Sequence, residues 1–297
     1  MASFTDAPFR LVSERFGALW TVAEMVMSRS LLEGAPAAQE LIEFHPEERS
    51  RIIQLAGSDP AEVAAAARLV AEEVKPRAID LNMGCPMPKI VSRGAGAALM
   101  DNPIRAARMV AAVRQAAGLP VSVKLRLGNR SPNAPVVARE LETAGAELLR
   151  VHGRTAVQRY GGRADWGGIA AVARAVGVPV VGSGGVRSVR DYHEKRGLGL
   201  GVAVARGALG RPWFFAEVRG VAVAPQEKRR AALEHLRLHL GWYEERGERW
   251  ALRAFRGHLQ NYLAAAAPDE RRDLLRSEDA AAVAAALNEW VGRGGFS

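Results

Sequence analysis

Residues 79–89 read Ile-Asp-Leu-Asn-Met-Gly-Cys-Pro-Met-Pro-Lys and carry the clearest fold signal in the chain. Residues 78–81 alternate apolar and polar side chains, which is typical of a β-strand. The glycine tolerates backbone angles that end a strand, and the two prolines exclude both strand pairing and an immediate helix. Cys85 is therefore predicted to lie on a stiff loop at the carboxyl end of a strand, where parallel α/β folds place their reacting groups.

Cys85 is the only cysteine among the 297 residues. A lone cysteine is often a small buried hydrophobic residue, but such residues seldom occupy a Gly-Cys-Pro turn after a strand. We therefore interpret Cys85 as a reactive group. A single cysteine cannot form an internal disulfide, so we expect a cytoplasmic protein. The sequence also shows neither a long apolar run nor a signal-peptide pattern, so we expect no membrane association.

Strand-like and helix-like stretches alternate through residues 1–225. This alternation predicts a parallel sheet covered by helices, as in a (β/α)8 TIM barrel. Seven strands can be counted, at residues 19–25, 51–56, 78–82, 121–127, 148–152, 178–182 and 201–205. Three helical stretches without strands follow, at residues 227–246, 249–263 and 280–290. We therefore expect a barrel domain over residues 1–225 and a small helical bundle over residues 226–297.

Two small-residue turns follow the last two predicted strands. One contains Ser183, Gly184 and Gly185, and the other contains Ala205 and Arg206. Such turns leave backbone N–H groups free, and a following helix adds a positive partial charge. Because the last two strand loops of barrels often hold a phosphate, we predict a phosphate site here. No G-x-G-x-x-G opens a first βα unit, so a Rossmann site is not expected.

The formal net charge is +9, and most of the excess lies after the predicted strands. Twelve basic residues occupy these loops against one acidic residue, Asp165: Lys89, Arg93, Lys124, Arg126, Arg130, Arg154, Arg159, Arg163, Arg187, Arg190, Arg206 and Arg211. In a parallel barrel these loops share one rim, and a basic rim attracts phosphates. A genome rich in G and C favours Arg over Lys but does not explain an excess of basic over acidic residues.

Residues 81–89 resemble the active-site signature of the tRNA-dihydrouridine synthases, flavoenzymes that reduce specific uridines of tRNA. Five further stretches look like motifs of the same family and occur in the family order, at residues 5–10, 54–60, 124–128, 151–155 and 210–213. One such motif alone would be a weak signal, whereas six in order are a strong one. The resemblance runs from Met1 to about residue 263.

The resemblance implies FMN as the bound cofactor. Gln54 would then hydrogen-bond the pyrimidine edge of the flavin, Lys124 would stabilise its reduced anionic form, and His152 would lie near its phosphate or ring. The remaining flavin contacts would come from Met1, Ala2, Ser183, Gly184, Gly185, Ala205 and Arg206. Many family members have Asn-Gly-Asp or Asn-Gly-Gly at residues 183–185 and Gly at residue 205. Backbone N–H contacts would survive these differences.

The same resemblance implies that uridines are reduced to 5,6-dihydrouridine, with NADPH or NADH as the reductant. Cys85, whose side-chain type has an ordinary pKa of about 8.5, would donate a proton to C5 of the uracil. Asn82 would bind the uracil edge, and in the family the C-terminal domain contacts tRNA. The other RNA contacts would come from Lys89, Arg126, Arg154, Arg256 and His258. His258 could instead pack against Tyr262, one helical turn away. We expect a monomer without a metal site.

Two other functions fit parts of the sequence. One is an FMN barrel reductase acting on a small molecule such as a dihydropyrimidine or dihydroorotate, which would need neither the basic rim nor the bundle. The other is a tRNA-binding protein that keeps the fold without catalysis. Turnover of a free base that does not depend on salt would favour the first, and a purified protein without flavin would favour the second.

The strand count is one short of a closed barrel, and the gap lies at the beginning of the chain. Residues 1–6 read as the loop leaving a first strand, with a helix beginning at Asp6. We therefore expect the natural start to lie about 10–20 residues upstream, room for one strand and a short lead-in. The alternative is a genuine truncation in which another segment fills the gap. An extended chain should hold more FMN per protein and melt at a higher temperature than the given one.

Overall fold

The computed structural model describes residues 3–291. Its sheet contains seven parallel strands that are hydrogen-bonded in the order in which they occur along the chain. The strands are β1 (Met25–Met27), β2 (Ile52–Ala56), β3 (Ala78–Met83), β4 (Val121–Arg126), β5 (Leu148–His152), β6 (Val180–Ser183) and β7 (Gly201–Ala203). The parallel order and the helices between the strands confirm the predicted TIM-barrel architecture and the count of seven strands within the described residues.

Ten α-helices precede, separate or follow the strands of the sheet in the part of the chain described. They are α1 (Ala7–Arg15), α2 (Ser28–Leu32), α3 (Pro36–Glu40), α4 (Pro60–Glu73), α5 (Pro88–Val91), α6 (Pro103–Ala117), α7 (Ala134–Thr143), α8 (Trp166–Ala175), α9 (Val189–Arg196) and α10 (Phe214–Glu217). Short 3-10 helices lie at Gly96–Asp101, Arg206–Ala208 and Glu244–Arg246. Across residues 3–291, none of the helices has the length and apolar composition needed to cross a membrane.

The first strand differs from its prediction. A strand was expected at residues 19–25, but β1 begins only at Met25, and Leu19 is 89% exposed. The N–H of Ala23 donates to the carbonyl of Ile52 at 2.9 Å, so the chain approaches β2 before the strand itself begins at Met25. The Glu24 carboxylate accepts backbone N–H groups of Ser3, Phe4 and Thr5, at 2.7, 2.9 and 3.0 Å. Glu24 thus fastens the beginning of the chain to the start of β1.

The helix starts follow local capping chemistry. Asp59 caps α4 by accepting the N–H of Ala61 at 3.0 Å, as its sequence position indicates. Glu62, in the first turn of the same helix, pairs with Arg29 at 2.9 Å. Asp165 caps α8 through the N–H of Gly168, so α8 begins at Trp166. This start places a tryptophan next to the loop after β6.

The strand register gathers polar side chains inside the sheet. Two rows cross neighbouring strands, with Gln54, Asp80 and Ser122 in the first and Asn82, Lys124 and Arg150 in the second. Strand side chains alternate between faces, so the apolar residues between these positions point the other way. Leu55, Leu81 and Val123 are accordingly buried in the main core with the covering helices. The two polar rows therefore line the interior of the sheet, and the apolar residues between them pack against the helices.

Four helices form the C-terminal bundle, one more than predicted. They are α11 (Pro225–Trp242), α12 (Glu248–Tyr262), α13 (Pro268–Arg276) and α14 (Ala280–Trp290). α13 was missed because it has no fully buried residue and so lacks the apolar stripe that reveals a helix. The bundle has its own core, in which Trp213 from the barrel side packs with Phe255 and Leu259.

The buried face of α11 is only partly aliphatic. Leu236 is buried, whereas Leu233 and Leu240 are half-buried. Ala232, His235 and His239 are buried with Leu236. Histidines occupy this face because it packs against α1 of the barrel, where a carboxylate and aromatic rings are available.

The contact between α1 and the bundle is built on the Asp6 carboxylate, which also caps α1. His239 Nδ1 lies 2.9 Å from this carboxylate, and His239 Nε2 lies 3.0 Å from the carbonyl oxygen of Ala251. The His239 ring thus bridges the Asp6 carboxylate of α1 and a backbone carbonyl of α12. Burial acts to raise the pKa of Asp6, but the hydrogen bond and the neighbouring histidines outweigh it and lower the pKa.

His258 belongs to this same interface. It is 1% exposed, and its ring packs against Phe4, Phe9 and His235. Its predicted role as a surface RNA contact is therefore wrong for this structure, because an interior ring cannot reach a phosphate. The Tyr262 hydroxyl pairs with His235 at 3.0 Å, so the expected packing of His258 on Tyr262 gives way to this hydrogen bond. Burial lowers the pKa of His258 to about 4 and that of His235 well below its ordinary value.

A pH-dependent stability follows from the low pKa of His258. The folded protein keeps this ring neutral while the unfolded chain protonates it near pH 6.5, so stability is present above that pH and is lost as the pH falls toward 4. In His258→Phe, the free energy of unfolding should fall less steeply with decreasing pH, by up to about 1.4 kcal/mol per pH unit. The contributions of Asp6 and His235 to the slope should remain. Denaturant unfolding between pH 7.5 and 4.5 measures it. The exposed-residue control His193→Gln should keep the wild-type slope, and an equally steep slope in His258→Phe would contradict the assignment.

Candidate active site

Cys85 lies on the loop immediately after β3, as predicted, with its side chain half-buried. The Asn82 side-chain oxygen accepts the backbone N–H groups of Gly84 and Cys85, at 3.1 and 2.9 Å. On the other side, the Cys85 carbonyl accepts the N–H of Ala97 at 3.0 Å. Gly96 has a φ of +59°, and a side chain there would come within 2.8 Å of the Cys85 carbonyl oxygen. The loop is therefore held at both ends, with the thiol between them.

Arg126 fixes the same loop from β4. It is 3% exposed, and its guanidinium donates to the carbonyl of Gly84 at 2.7 Å and to those of Thr155 and Arg159 at 3.0 and 2.9 Å. Its expected place on an exposed basic rim is wrong, because these three bonds hold it inside. Arg126 joins the Cys85 loop to the loop after β5.

Removing the hydrogen bonds of the Arg126 guanidinium should destabilise the folded protein. Arg126→Met leaves three carbonyl groups without their donor, so we expect the free energy of unfolding to fall by about 2–3 kcal/mol. Arg130→Met removes an exposed side chain of the same length from the same region and should change it little. Denaturant unfolding of the two variants gives the comparison. Equal stability of both variants would show that the guanidinium does not hold the loops.

Gln54 and Asn82 form a pair at the floor of the site. Asn82 Nδ2 donates to Gln54 Oε1 at 2.8 Å, and both side chains are buried. Their predicted roles toward a flavin and a uracil remain predictions. Gln54 also donates to Asp80, and the Asn82 oxygen already accepts two loop N–H groups. One NH₂ hydrogen of each amide and one lone pair of the Gln54 oxygen are therefore left to face a ligand.

Lys124 points into the same interior from β4, in register with Asn82. Its side chain is half-buried, and its ammonium makes no hydrogen bond or ion pair to any described residue. Burial, together with the nearby Arg150 and Arg126, lowers the pKa of Lys124 to about 8. A desolvated ammonium without an acceptor suits a ligand that brings negative charge to this position.

His152, at the end of β5, has a tautomer that its neighbours define. Arg154 can only donate, so the His152 Nε2 that faces it at 3.3 Å is the bare nitrogen. The proton then lies on Nδ1, which is 3.3 Å from the Ser183 hydroxyl. Burial and the cations around it lower the pKa of His152 to about 3, so the ring is neutral at physiological pH.

Arg154 is itself buried, at 4% exposure, which differs from its predicted place among surface RNA contacts. It donates to the carbonyl groups of Gly161 and Gly162, at 2.9 and 2.6 Å. These bonds shape the loop after β5 and bring it over His152. Any contact of Arg154 with a ligand would therefore come from inside the cleft and not from its rim.

The turn after β6 forms an open cradle beside His152. Gly184 and Gly185 have φ angles of +119° and +77°, and a side chain at Gly184 would come within 3.2 Å of the His152 ring. The Trp166 indole donates to the Gly184 carbonyl at 2.9 Å and fixes the turn. The backbone N–H groups of Gly184, Gly185 and Arg206 have no acceptor within residues 3–291. These are the groups that a phosphate would occupy.

The other predicted residues take different places. Lys89 is exposed in the short helix α5 beside the Cys85 loop, Arg256 is half-buried on α12, and Ala205 is exposed just before the 3-10 helix at Arg206–Ala208. Met1 and Ala2 lie outside the described residues. The structure thus brings the flavin candidates of β2–β6 into one cleft and leaves Arg256 at the bundle.

Three interior residues, Asp80, Ser122 and Arg150, were not predicted as part of the site. Each interrupts an apolar strand at an inward position, and Asp80 lies between two aliphatic residues in the stretch quoted first. A charged residue inside a strand that is otherwise apolar was the signal that could have found them.

The comparisons with known proteins agree with the motifs. Residues 1–290 match the family model described as dihydrouridine synthase (Dus). A probable tRNA-dihydrouridine synthase from Rhizobium leguminosarum bv. phaseoli is 38% identical over 97% of this chain and 92% of its own. One from Rhodobacter capsulatus is 39% identical over 97% and 91%, and tRNA-dihydrouridine synthase B from Pseudomonas aeruginosa is 36% identical over 98% and 90%. The chain therefore belongs to the dihydrouridine synthase family.

Proposed function

We propose that the protein reduces specific uridines of tRNA to 5,6-dihydrouridine, with FMN as hydride carrier and NADPH or NADH as reductant. The observation that carries the proposal is the single thiol, fixed by Asn82 and Arg126 at a strand end beside the unpartnered ammonium of Lys124. The family membership and the activities in the relatives' names support it.

The residues of the cleft fit FMN. The free N–H groups of Gly184, Gly185 and Arg206 would take its phosphate, with Ser183 and Ala205 as backbone neighbours. His152 would lie at the junction of phosphate and ring, Gln54 at the pyrimidine edge, and Lys124 at the side where reduction adds negative charge. When bound, FMN supplies the hydride that C6 of the uracil accepts. We further propose that residues 1 and 2 contribute backbone contacts.

Cys85 is the proposed catalytic acid. The uracil must receive a proton at C5 when hydride reaches C6, and the Cys85 thiol would donate it. Lys124 and Arg126 lie close enough to interact electrostatically with the sulfur, so they would stabilise the thiolate that remains. Asn82 would meet the uracil edge with its remaining amide hydrogen. A uridine has to leave the tRNA stack to reach this depth.

Exposed basic residues around the cleft are the proposed tRNA surface. Eight of the twelve rim residues have exposed side chains: Lys89, Arg93, Arg130, Arg159, Arg163, Arg187, Arg190 and Arg206. We propose that the bundle, including Arg256, extends this surface as the RNA-contacting domain after residue 225. The enzyme would act as a cytoplasmic monomer without a resident metal.

Binding of tRNA should weaken steeply as salt rises. Each phosphate that the rim neutralises contributes a slope of about −0.7 to −0.9 to the logarithm of affinity against the logarithm of salt concentration. Arg159→Glu or Arg163→Glu should reduce both affinity and slope. Arg68→Glu, an exposed position on α4 away from the rim, is the matched control and should do neither. Filter binding at several salt concentrations tests this, and a flat dependence would contradict the assigned surface.

The two alternatives predict different results in a simple experiment. The purified protein is reconstituted with FMN and then given NADPH with either tRNA or free pyrimidines. We expect the flavin spectrum to appear and dihydrouridine to form only in tRNA. Turnover of free pyrimidines without tRNA would indicate a small-molecule reductase, and tRNA affinity without flavin binding would indicate a non-catalytic RNA-binding protein.

A further inference from the structure

Beneath the proposed site, the Asp80 carboxylate is fully buried inside the barrel at 0% exposure. It accepts hydrogen bonds from Ser122 Oγ at 2.6 Å, Arg150 Nε at 3.1 Å and Gln54 Nε2 at 2.5 Å. Arg150 also forms an ion pair with it through a second guanidinium nitrogen. Both carboxylate oxygens therefore have hydrogen-bond donors, and these donors lie on three different strands, β2, β4 and β5.

The carboxylate sets the direction of every amide between itself and Cys85. Because an ionised carboxylate only accepts, Gln54 must turn its NH₂ toward Asp80 and its oxygen toward Asn82. Asn82 must then turn its NH₂ toward Gln54, which leaves its oxygen facing the Cys85 loop. That oxygen is the acceptor for the N–H of Cys85. The loop, Asn82 and Gln54 thus all donate in one direction, toward Asp80.

We propose that Asp80 is a positioning residue for Cys85. It acts through the orientation of two amide side chains and does not touch the thiol. Arg150 pairs with the buried carboxylate, and its guanidinium lies over the Trp20 ring at 5.7 Å. A neutral amide at residue 80 can donate as well as accept, so Gln54 and Asn82 could both turn over. A turned Asn82 would present NH₂ to the loop N–H groups, and the loop would lose its acceptor.

The variant Asp80→Asn tests this direction, because it preserves side-chain size. Its control is Ser122→Ala, which removes one hydrogen bond to Asp80 but leaves the carboxylate and the direction of the amides unchanged. Cys85 is the only cysteine, so its alkylation by iodoacetamide reports on the loop alone. We expect alkylation of Asp80→Asn to be several-fold faster than that of wild type and to have a changed pH profile. Ser122→Ala should match wild type.

The consequence for catalysis rests on the proposed function. In FMN-saturated Asp80→Asn, single-turnover formation of dihydrouridine should fall about 10- to 100-fold, since a small displacement of a reacting group has that effect. Flavin reduction by NADPH should stay near the wild-type rate. If wild type itself forms no dihydrouridine, the proposed function fails, while the alkylation contrast still decides the role of Asp80.

Asp80→Asn leaves the Arg150 guanidinium without its carboxylate and could prevent folding. The double variant Asp80→Asn with Arg150→Met removes that buried charge, and its Cys85 alkylation can be measured in the same way. Faster alkylation in either folded variant, with Ser122→Ala unchanged, supports the inference. Alkylation at the wild-type rate and pH profile in the folded variant would overturn it.

Discussion

Replacing Cys85 with alanine should slow dihydrouridine formation by about 10²–10⁴-fold, the usual contribution of a general acid. The loop itself should survive, because its bonds to Asn82, Arg126 and Ala97 use backbone groups that alanine retains. Flavin binding and flavin reduction by NADPH should therefore stay at wild-type levels. The measurement is single-turnover formation of dihydrouridine in tRNA, followed beside the absorbance of the flavin.

Two comparisons separate acid catalysis from disturbance of the site. Cys85→Ser keeps the shape but offers a much weaker acid, so its rate should lie near that of the alanine variant. Met87→Ala changes an exposed residue of the same loop and should retain most activity. Wild-type rates in Cys85→Ala would show that another group, or water, supplies the proton.

Lys124→Met should lower the rate of flavin reduction by about 10²–10³-fold, the range seen when one group stabilising a developing negative charge is removed. Methionine has a similar length but no charge, so the pocket stays filled while the ammonium is lost. Lys89→Met, at an exposed position near the Cys85 loop, is the matched control and should leave flavin reduction unchanged.

The pH dependence of flavin reduction gives a second test of the role of the Lys124 ammonium. Its pKa is lowered to about 8, so the ammonium is present below that pH and is lost as the pH rises through it. The wild-type rate of flavin reduction should therefore decline above pH 8, and Lys124→Met should lack this decline. Stopped-flow measurements from pH 6.5 to 9.5 decide the point. A decline that persists unchanged in the variant would assign it to another group.

The sequence was sufficient for the barrel because its signals are local. Asp59-Pro60 and Asn102-Pro103 each join a capping side chain to a proline at the first helical position, and α4 and α6 begin there. The loop after β3 follows from glycine and proline chemistry at residues 84–88. The first strand was placed too early because the apolar composition of residues 19–24 does not reveal that Leu19 is exposed and that the strand begins only at Met25.

The site was predicted in part for the same reason. Motifs pointed to Cys85, Lys124 and His152, which the structure brings to one cleft. An arginine is exposed or buried according to which backbone carbonyl groups the fold brings near its guanidinium. The sequence therefore could not distinguish the buried Arg126 and Arg154 from the exposed arginines of the rim. The burial of His258 could not be predicted because two of the rings that cover it, Phe4 and Phe9, lie about 250 positions away in the chain.

Hydride transfer from a bound flavin to uridine in tRNA is the step on which the proposed function depends. The direct test reduces the FMN-loaded protein with NADPH without oxygen, removes excess NADPH, and adds tRNA that lacks dihydrouridine. We expect the flavin to reoxidise while the tRNA gains one dihydrouridine per flavin, detected by nucleoside mass spectrometry. Flavin that stays reduced in the presence of tRNA, with no dihydrouridine formed, would contradict the proposed function.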